Sequence, residues 1–161
     1  MAKLWVTILG LGFFPFAPGT IGSLAGLIFL VLLMQFLQPE ILVILMIIVF
    51  LISWFLTERY VSQIENKHDP SEVIIDELIG QWISLIPLLY LYHIHFPITF
   101  AQTMKLILAS FLLFRFFDII KPWPINLIDR QVSSFSIIFD DIIAGLFVVA
   151  AIYVYISWSY L

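Results

Sequence analysis

The sequence contains no cysteine, only three histidines and few charged residues. The absence of cysteine excludes disulfide bonds, thiolate metal sites and a cysteine nucleophile. Charged residues make up 11% of the chain and hydrophobic residues 63%, against roughly half in a typical soluble domain. This leaves too little polar surface to cover a globule in water. The net charge is only −4, and no basic, aromatic-interleaved patch is present, which argues against nucleic acid as a partner. The composition therefore indicates that the lipid bilayer is the natural solvent.

The length of the chain suits a single membrane-embedded domain, residues 1–161. A helix needs about 20 apolar residues to cross a bilayer. We therefore predict an all-α fold, a polytopic membrane helical bundle with about four to six hydrophobic helices. The start of the chain is similar to a signal peptide, because Lys3 precedes an apolar run. Pro15 and Pro18 break that run, however, and no A-x-A cleavage signal follows it.

The apolar runs also predict an orientation in the membrane. If every run crosses, one side carries all acidic residues except Glu40 and all basic residues except Lys105. An excess of Lys and Arg marks the cytoplasmic side. We therefore expect the acidic motifs to gather on the cytoplasmic face. The five runs are 21–37, 41–56, 78–92, 104–117 and 142–158.

The first acidic motif is HDPSEVIIDELIGQW, residues 68–82. Asp69, Pro70 and Glu72 have the order of a helix N-cap, a first helical residue and a capping-box acid. The acids that follow, Asp76 and Glu77, directly precede an apolar run, where capping does not explain them. On a helix, positions 69, 72, 76 and 80 share one face, so three carboxylates would form a stripe. A bound cation would relieve their repulsion, and both the capping and the metal interpretation stay open for the first two acids.

The second acidic motif covers residues 114–145 and brings four aspartates to the membrane boundary. Within it, Arg115 and Lys121 could project beside Asp118 by helical spacing. The alternatives are a surface ion-pair ladder and, for the last two aspartates, a favourable position at a helix start. Oxygen-rich clusters suit hard cations, Mg²⁺ first. The histidines show no zinc signature, and we assign no role to them. The four aspartates are Asp118, Asp129, Asp140 and Asp141.

The third motif is FPFAPGTIGSLAG, residues 14–26. Thr20 is a possible N-cap, and Ser23 with the nearby glycines places free amides and hydroxyls at a helix start, which is a ready anion site. The alternative is close helix packing through small residues such as Gly22 and Gly26. Carboxylates for a metal, two cations and a glycine-rich helix start together favour phosphoryl transfer on an amphiphilic substrate.

Three segments in this order resemble the phosphatidylglycerophosphatase A family: GFFPFAPGTIGSLAG, HDPSEVIIDELIGQW, and FRFFDIIKPWPINLID with IIFDDIIAG. The resemblance spans nearly the whole chain. It implies a Mg²⁺-dependent lipid phosphatase that removes the terminal phosphate of phosphatidylglycerophosphate to give phosphatidylglycerol. It also implies a multi-pass protein of the bacterial inner membrane whose active site faces the cytoplasm.

The resemblance and the motif chemistry together give the predicted site. The predicted catalytic residues are Asp76, Glu77, Asp118, Asp140 and Asp141. The predicted phosphate-binding residues are Thr20, Ser23, Arg115 and Lys121. The predicted metal ligands are Asp69, Glu72, Asp76, Asp129, Asp140 and Asp141, of which Glu72 comes from the helix-face argument alone.

Two other functions use the same residues. A cation transporter or channel could move an ion past these acids, although such proteins tend to place them near mid-bilayer within repeated halves, and no repeat is visible. The protein could also be a non-catalytic membrane subunit. The only argument against this function is the high density of acidic residues at the membrane boundary, where charge is energetically costly. The sequence leaves open the nucleophile, metal-activated water or an aspartate, together with the number of metal ions and the oligomeric state.

Overall fold

A computed structural model describes residues 1–64, 70–129 and 134–160. Throughout these ranges the regular structure is helical, as the composition predicts. A short 3₁₀ turn, Leu11–Phe13, follows the first helix. The α-helices are α1 (Ala2–Val6), α2 (Pro18–Leu33), α3 (Pro39–Val61), α4 (Ile75–Ser84), α5 (Ile86–His93), α6 (Phe100–Ile120), α7 (Ile125–Asp129) and α8 (Ser134–Tyr160).

Two of the helices are long and apolar enough to cross a membrane by length and composition. They are α3, with 23 residues, and the stretch Phe135–Trp158 of α8. Much of the surface of α3 consists of exposed isoleucine, leucine and phenylalanine side chains, for example Ile44, Leu51 and Phe55. Large contiguous apolar surface of this kind is unusual on a soluble monomer. The helix lengths and this surface agree with a membrane protein.

The centre of the bundle is α4, which packs mainly against α8 and α2. Eight of its ten residues are buried, including Trp82 and Gln81. The helix ends at Ser84, and α5 follows after a bend at Leu85. Pro87 stands in the first turn of α5, where its missing N–H costs nothing, whereas it would break a continuous helix. The third apolar run of the sequence is therefore two short helices.

Glycines bring the central helices to backbone contact. A Cβ on Gly145 of α8 would lie 2.6 Å from the carbonyl oxygen of Gly80 in α4, and one on Gly80 would lie 2.7 Å from the carbonyl oxygen of Asp141. On the other side, a Cβ on Gly22 would lie 2.7 Å from the carbonyl oxygen of Ile74. Only residues without a Cβ fit these crossings. The close packing of small residues considered for the glycine-rich motif is therefore present in α2.

Two predicted helix starts were wrong. Helix α4 begins at Ile75, so the expected N-cap, capping box and stripe of acids beginning at position 69 do not form. The residues before it make a turn, in which the N–H of Ile74 donates to the carbonyl oxygen of Val6 at 3.0 Å. This contact with α1 replaces a helical hydrogen bond, and tertiary packing therefore overrides the local capping signal. Helix α2 begins at Pro18 after Ala17, so Thr20 lies inside its first turn and is not the N-cap.

Candidate metal and phosphate site

Three carboxylates converge where α4 meets α8. Asp76 and Glu77 stand in the first turn of α4, and Asp141 lies four residues before Gly145 in α8. One oxygen from each of the three carboxylates lies within 4.8 Å of the others. Asp76 is 7% exposed and Asp141 3%. The glycine contact between α4 and α8 makes this convergence possible, because bulkier residues would hold the helices apart.

The buried carboxylates leave oxygens without protein partners. Asp76 Oδ1 and Glu77 Oε2 are buried, and neither has a hydrogen-bond partner among the described residues. Both acids precede Leu78, where the apolar run begins. A cation held between these oxygens would supply the compensating charge, so the group fits a hard divalent metal ion.

An arginine bridges this carboxylate group to α2. Arg115 Nη1 forms an ion pair with Asp118 at 2.5 Å, one turn further along α6. The same nitrogen donates to the hydroxyl oxygen of Ser23 in α2 at 3.2 Å. Asp118 in turn lies within hydrogen-bonding reach of Asp141. A guanidinium therefore stands directly beside the acids, where it could neutralise a phosphate.

The start of α2 closes the site from the other side. A Cβ on Gly19 would lie 2.3 Å from Glu77 Oε1 and 3.2 Å from Arg115 Nη1. The absence of a side chain at this position therefore lets both groups reach the helix start. Ser23 is fully buried, and its hydroxyl also donates to the carbonyl oxygen of Gly19 at 2.9 Å. The site is thus assembled from α2, α4, α6 and α8.

A second ion pair lies at the end of α6. Lys121 follows the last residue of that helix in a left-handed conformation, with φ of 46°. Its ammonium group contacts Asp140 Oδ2 at 2.6 Å, and Asp140 is 6% exposed. Asp140 therefore faces Lys121 and is not part of the three-carboxylate group, although it lies directly beside Asp141 in α8. The contact places a second cation at the same end of the bundle.

The other predicted site residues lie in different surroundings. Glu72 lies in the turn before α4 and accepts a hydrogen bond from the Tyr60 hydroxyl at 3.3 Å, so it is not brought into the three-carboxylate group. Thr20 is half-buried in the first turn of α2 and makes no side-chain hydrogen bond to a described residue. Asp69 lies outside the described residues. Asp129 ends α7, and its side chain likewise lies outside the described part.

Sequence reasoning missed three contributors to this site. Gly19 gives Glu77 and Arg115 access to α2, and the Gly80–Gly145 contact brings the acids together. The glycines were visible, but the pairing of their helices was not. Sequence reasoning also passed over Gln81, which is fully buried one turn beyond Glu77 and donates to the hydroxyl of Ser84 at 2.8 Å, a contact within α4. A polar amide within an apolar run was the available signal for it.

The family model described as phosphatidylglycerophosphatase A matches residues 4–156. A Haemophilus influenzae phosphatidylglycerophosphatase A is 34% identical over 92% of this chain and 85% of its own length. The Escherichia coli protein of that name is 33% identical over 89% and 77%. A Bacteroides thetaiotaomicron protein provisionally named a phosphatidylinositol-3-phosphatase is 30% identical over 86% and 82%. No solved structure matches the chain. With its three motifs and nearly its whole length matched, the chain belongs to the phosphatidylglycerophosphatase A family.

Proposed function

We propose that this protein hydrolyses the terminal phosphate monoester of phosphatidylglycerophosphate and releases phosphatidylglycerol and inorganic phosphate. The observation that carries the proposal is the convergence of Asp76, Glu77 and Asp141 beside Arg115. Membership of the family supports the same reaction. Phosphoryl transfer depends mainly on positioning and charge neutralisation, and these side chains supply both.

Mg²⁺ is the proposed cofactor, held by Asp76, Glu77 and Asp141. Three carboxylates offer only hard oxygen donors, and two of their oxygens have no described partner, which supports a small hard cation. When bound, such an ion polarises the phosphoryl group and lowers the pKa of a coordinated water. Asp69 and Asp129, on sequence grounds alone, and Asp140, next to Asp141, complete the proposed set of acids around the ion or its water ligands. Glu72 is left out of this set because it contacts Tyr60.

The cations and the start of α2 are proposed to hold the phosphate. Arg115 can direct its remaining N–H groups to phosphate oxygens while Asp118 and Ser23 fix its position. Lys121, already at this end of the bundle, provides a second positive charge, and Thr20 lies in the first turn of α2 beside Gly19. Positive charge at these positions stabilises the negative charge that spreads over the phosphoryl oxygens during transfer.

Asp118 is the proposed proton acceptor for an attacking water. Its side chain is 13% exposed, which leaves it more accessible to solvent than Asp140 or Asp141. Its ion pair with Arg115 fixes the direction of the carboxylate, and Asp141 lies beside it. In this scheme water attacks phosphorus and gives a proton to Asp118, the bond to the glycerol oxygen breaks, and that oxygen takes up a proton from Asp118 or from solvent. Trapping of a labelled aspartyl-phosphate during turnover would replace this scheme with covalent catalysis.

The proposed setting is the bacterial inner membrane, crossed several times by a single domain of residues 1–161. The proposed crossings are α2, α3, the α4–α5 pair, α6 and α8, with the acidic site at the cytoplasmic end. The positive-inside distribution and the exposed apolar side chains of α3 support this arrangement. Because the chain has no cysteine, single cysteines report topology cleanly. In intact cells, Gln63→Cys should resist an impermeant thiol reagent and Pro97→Cys should react; the reverse pattern would invert the orientation.

The decisive experiment is phosphate release by the protein purified in detergent. Phosphatidylglycerophosphate should be hydrolysed with Mg²⁺ and not in EDTA, while phosphatidylinositol 3-phosphate serves as the comparison substrate. Glu77→Gln should lower turnover at least 100-fold, because it removes one of three charges that hold the metal. Glu58→Gln is the matched control, an exposed acid at the end of α3, and should keep near-normal turnover. Equal turnover by the two variants would contradict the assigned site, and inactivity on every lipid phosphate would contradict the function.

A further inference from the structure

A separate groove lies between α6 and α8. It has a volume of about 450 Å³ and is lined by Lys105, Leu106 and Ala109 of α6 and by Ala151, Ile152 and Tyr155 of α8. Lys105 precedes Asp118 by 13 residues on the same helix, which corresponds to about 20 Å along its axis. The two helices run antiparallel, since the end of α6 meets the start of α8 at the acidic site. The mouth of the groove, at Lys105, is therefore at the opposite end of the bundle from the acidic site.

The walls of the groove change from polar to apolar along its length. Lys105 and Tyr155 are exposed at its outer end, whereas Leu106 and Ile152 are buried and form its floor. Further along α6, the small side chain of Ala109 leaves space between the helices, and Leu113 lines the inner end. From Lys105 to Leu113 the groove follows eight residues of α6, or about 12 Å. A slot with a cationic, hydroxyl-bearing mouth and an apolar interior matches the two parts of a phospholipid.

The charge of Lys105 supports an anionic occupant. Lys105 forms no ion pair with any residue in the described part of the chain, whereas the acid at this end of the bundle, Glu40, contacts His93 Nδ1 at 2.5 Å. An ammonium beside lipid gains most from a negatively charged partner, because the low dielectric strengthens the attraction. An ammonium group at the mouth of such a groove can form a charge-assisted hydrogen bond with the phosphate of an acidic headgroup.

We propose that this groove binds an anionic glycerophospholipid, with one acyl chain between α6 and α8 and the headgroup phosphate on Lys105. The Tyr155 hydroxyl lies at the same mouth and can donate a hydrogen bond to a phosphate or ester oxygen. The site is distinct from the proposed catalytic site in its position, its lack of carboxylates and its ligand, a phosphate diester that is not cleaved. This lipid-binding proposal rests on the proposed placement of the protein in a membrane and not on the proposed reaction.

The test compares lipid binding by the full-length protein and two variants. The protein in detergent is given phosphatidylglycerol or phosphatidylcholine, and the Tm and the retained lipids are measured by thermal shift and native mass spectrometry. Phosphatidylglycerol should raise the Tm of the parent protein more than phosphatidylcholine does. Lys105→Gln should lose at least half of that difference. Lys3→Gln, which removes an equal charge from a lysine stacked over Phe13, should keep it.

A second variant tests the apolar part of the groove. Ala109→Leu fills the space between α6 and α8 without changing charge, and it should reduce retention of phosphatidylglycerol by at least half. Equal stabilisation by the two lipids, or unchanged binding in both Lys105→Gln and Ala109→Leu, would overturn the proposal. Phosphate release by Lys105→Gln should stay within about twofold of the parent, since Lys105 itself lies about 20 Å along α6 from Asp118. If the parent protein releases no phosphate, the proposed function is contradicted, but the lipid-binding result is unaffected.

Discussion

Gly145→Ala tests whether the helix crossing holds the acids together. The added Cβ would lie 2.6 Å from the carbonyl oxygen of Gly80, where ordinary contacts begin at 3.4 Å. The two backbones would have to separate by the difference, about 0.8 Å. Ile83 Cγ2, which would lie 3.1 Å away, could shift by rotation, but Ile83 Cβ at the same distance and the carbonyl oxygen of Gly80 move only with the backbone of α4. The strain therefore falls on the relative position of α4 and α8.

The expected effect is larger on catalysis than on folding. Overpacking of a well-packed contact costs roughly 1–3 kcal/mol, so the Tm in detergent should fall while the protein still folds. Asp141 is one helical turn from Gly145 and would move away from Asp76 and Glu77 with α8. A displacement near 1 Å in a positioned group can cost about 100-fold in rate. We expect kcat/KM for phosphate release to fall by about 10- to 100-fold and the half-saturating Mg²⁺ concentration to rise.

The assay is phosphate release across a Mg²⁺ titration, with the Tm measured on the same preparations. Ala150→Val is the control, because it adds bulk to an exposed position on the same helix and should change neither quantity appreciably. Combining Gly145→Ala with Ile83→Ala should not restore activity if the backbone contact is responsible. Full activity of Gly145→Ala, or its rescue by trimming Ile83, would refute the reasoning.

Three further predictions concern single contacts. Asp76→Asn should abolish phosphate release. It should also raise the Tm of the metal-free protein, since one of three mutually repelling carboxylates becomes neutral. Retained turnover at low Mg²⁺ would contradict the role of Asp76 as a metal ligand. Arg115→Lys should lower kcat/KM by tenfold or more, because Nη1 is held by Ser23 and Asp118 and lysine lacks the other guanidinium N–H groups proposed to reach the phosphate. Ser23→Ala should cost less than about tenfold in the same assay. Trp82→Phe should lower the Tm with little change in turnover, since a buried helix carbonyl loses its 2.8 Å hydrogen bond.

Burial of the key acids was predictable because charge next to an apolar run is costly. Asp76 and Glu77 stand out in the sequence for that reason, whereas the sequence did not distinguish Asp141 from Asp140; the structure brings Asp141 to the other two. The arginine and aspartate of α6 were predicted to project together from their spacing, and they form an ion pair. Both predictions rest on short-range sequence patterns, and such patterns are retained in the fold where the residues concerned are buried.

The prediction of the α4 start failed for a long-range reason. Asp69, Pro70 and Glu72 form a good local capping pattern, but the backbone of Ile74 is bound to Val6 of α1, and Glu72 contacts Tyr60 of α3. Partners 12 to 68 residues away cannot be read from a short motif. The same limit explains why the role of Gly19 was missed, since the side chains that crowd it come from α4 and α6.

The assembly of the site from four helices has a consequence for the order in which the protein becomes functional. Chain synthesis delivers Ser23 first, then Asp76 and Glu77, then Arg115, and Asp141 last with the C-terminal helix. Until α8 packs onto Gly80, the nascent chain holds two carboxylates of the three and cannot complete the cation site. A chain truncated before residue 134 would keep most of the motif residues and still be inert. With the proposed site, turnover therefore requires that α8 has packed onto α4, and phosphate release reports the assembly of these four helices.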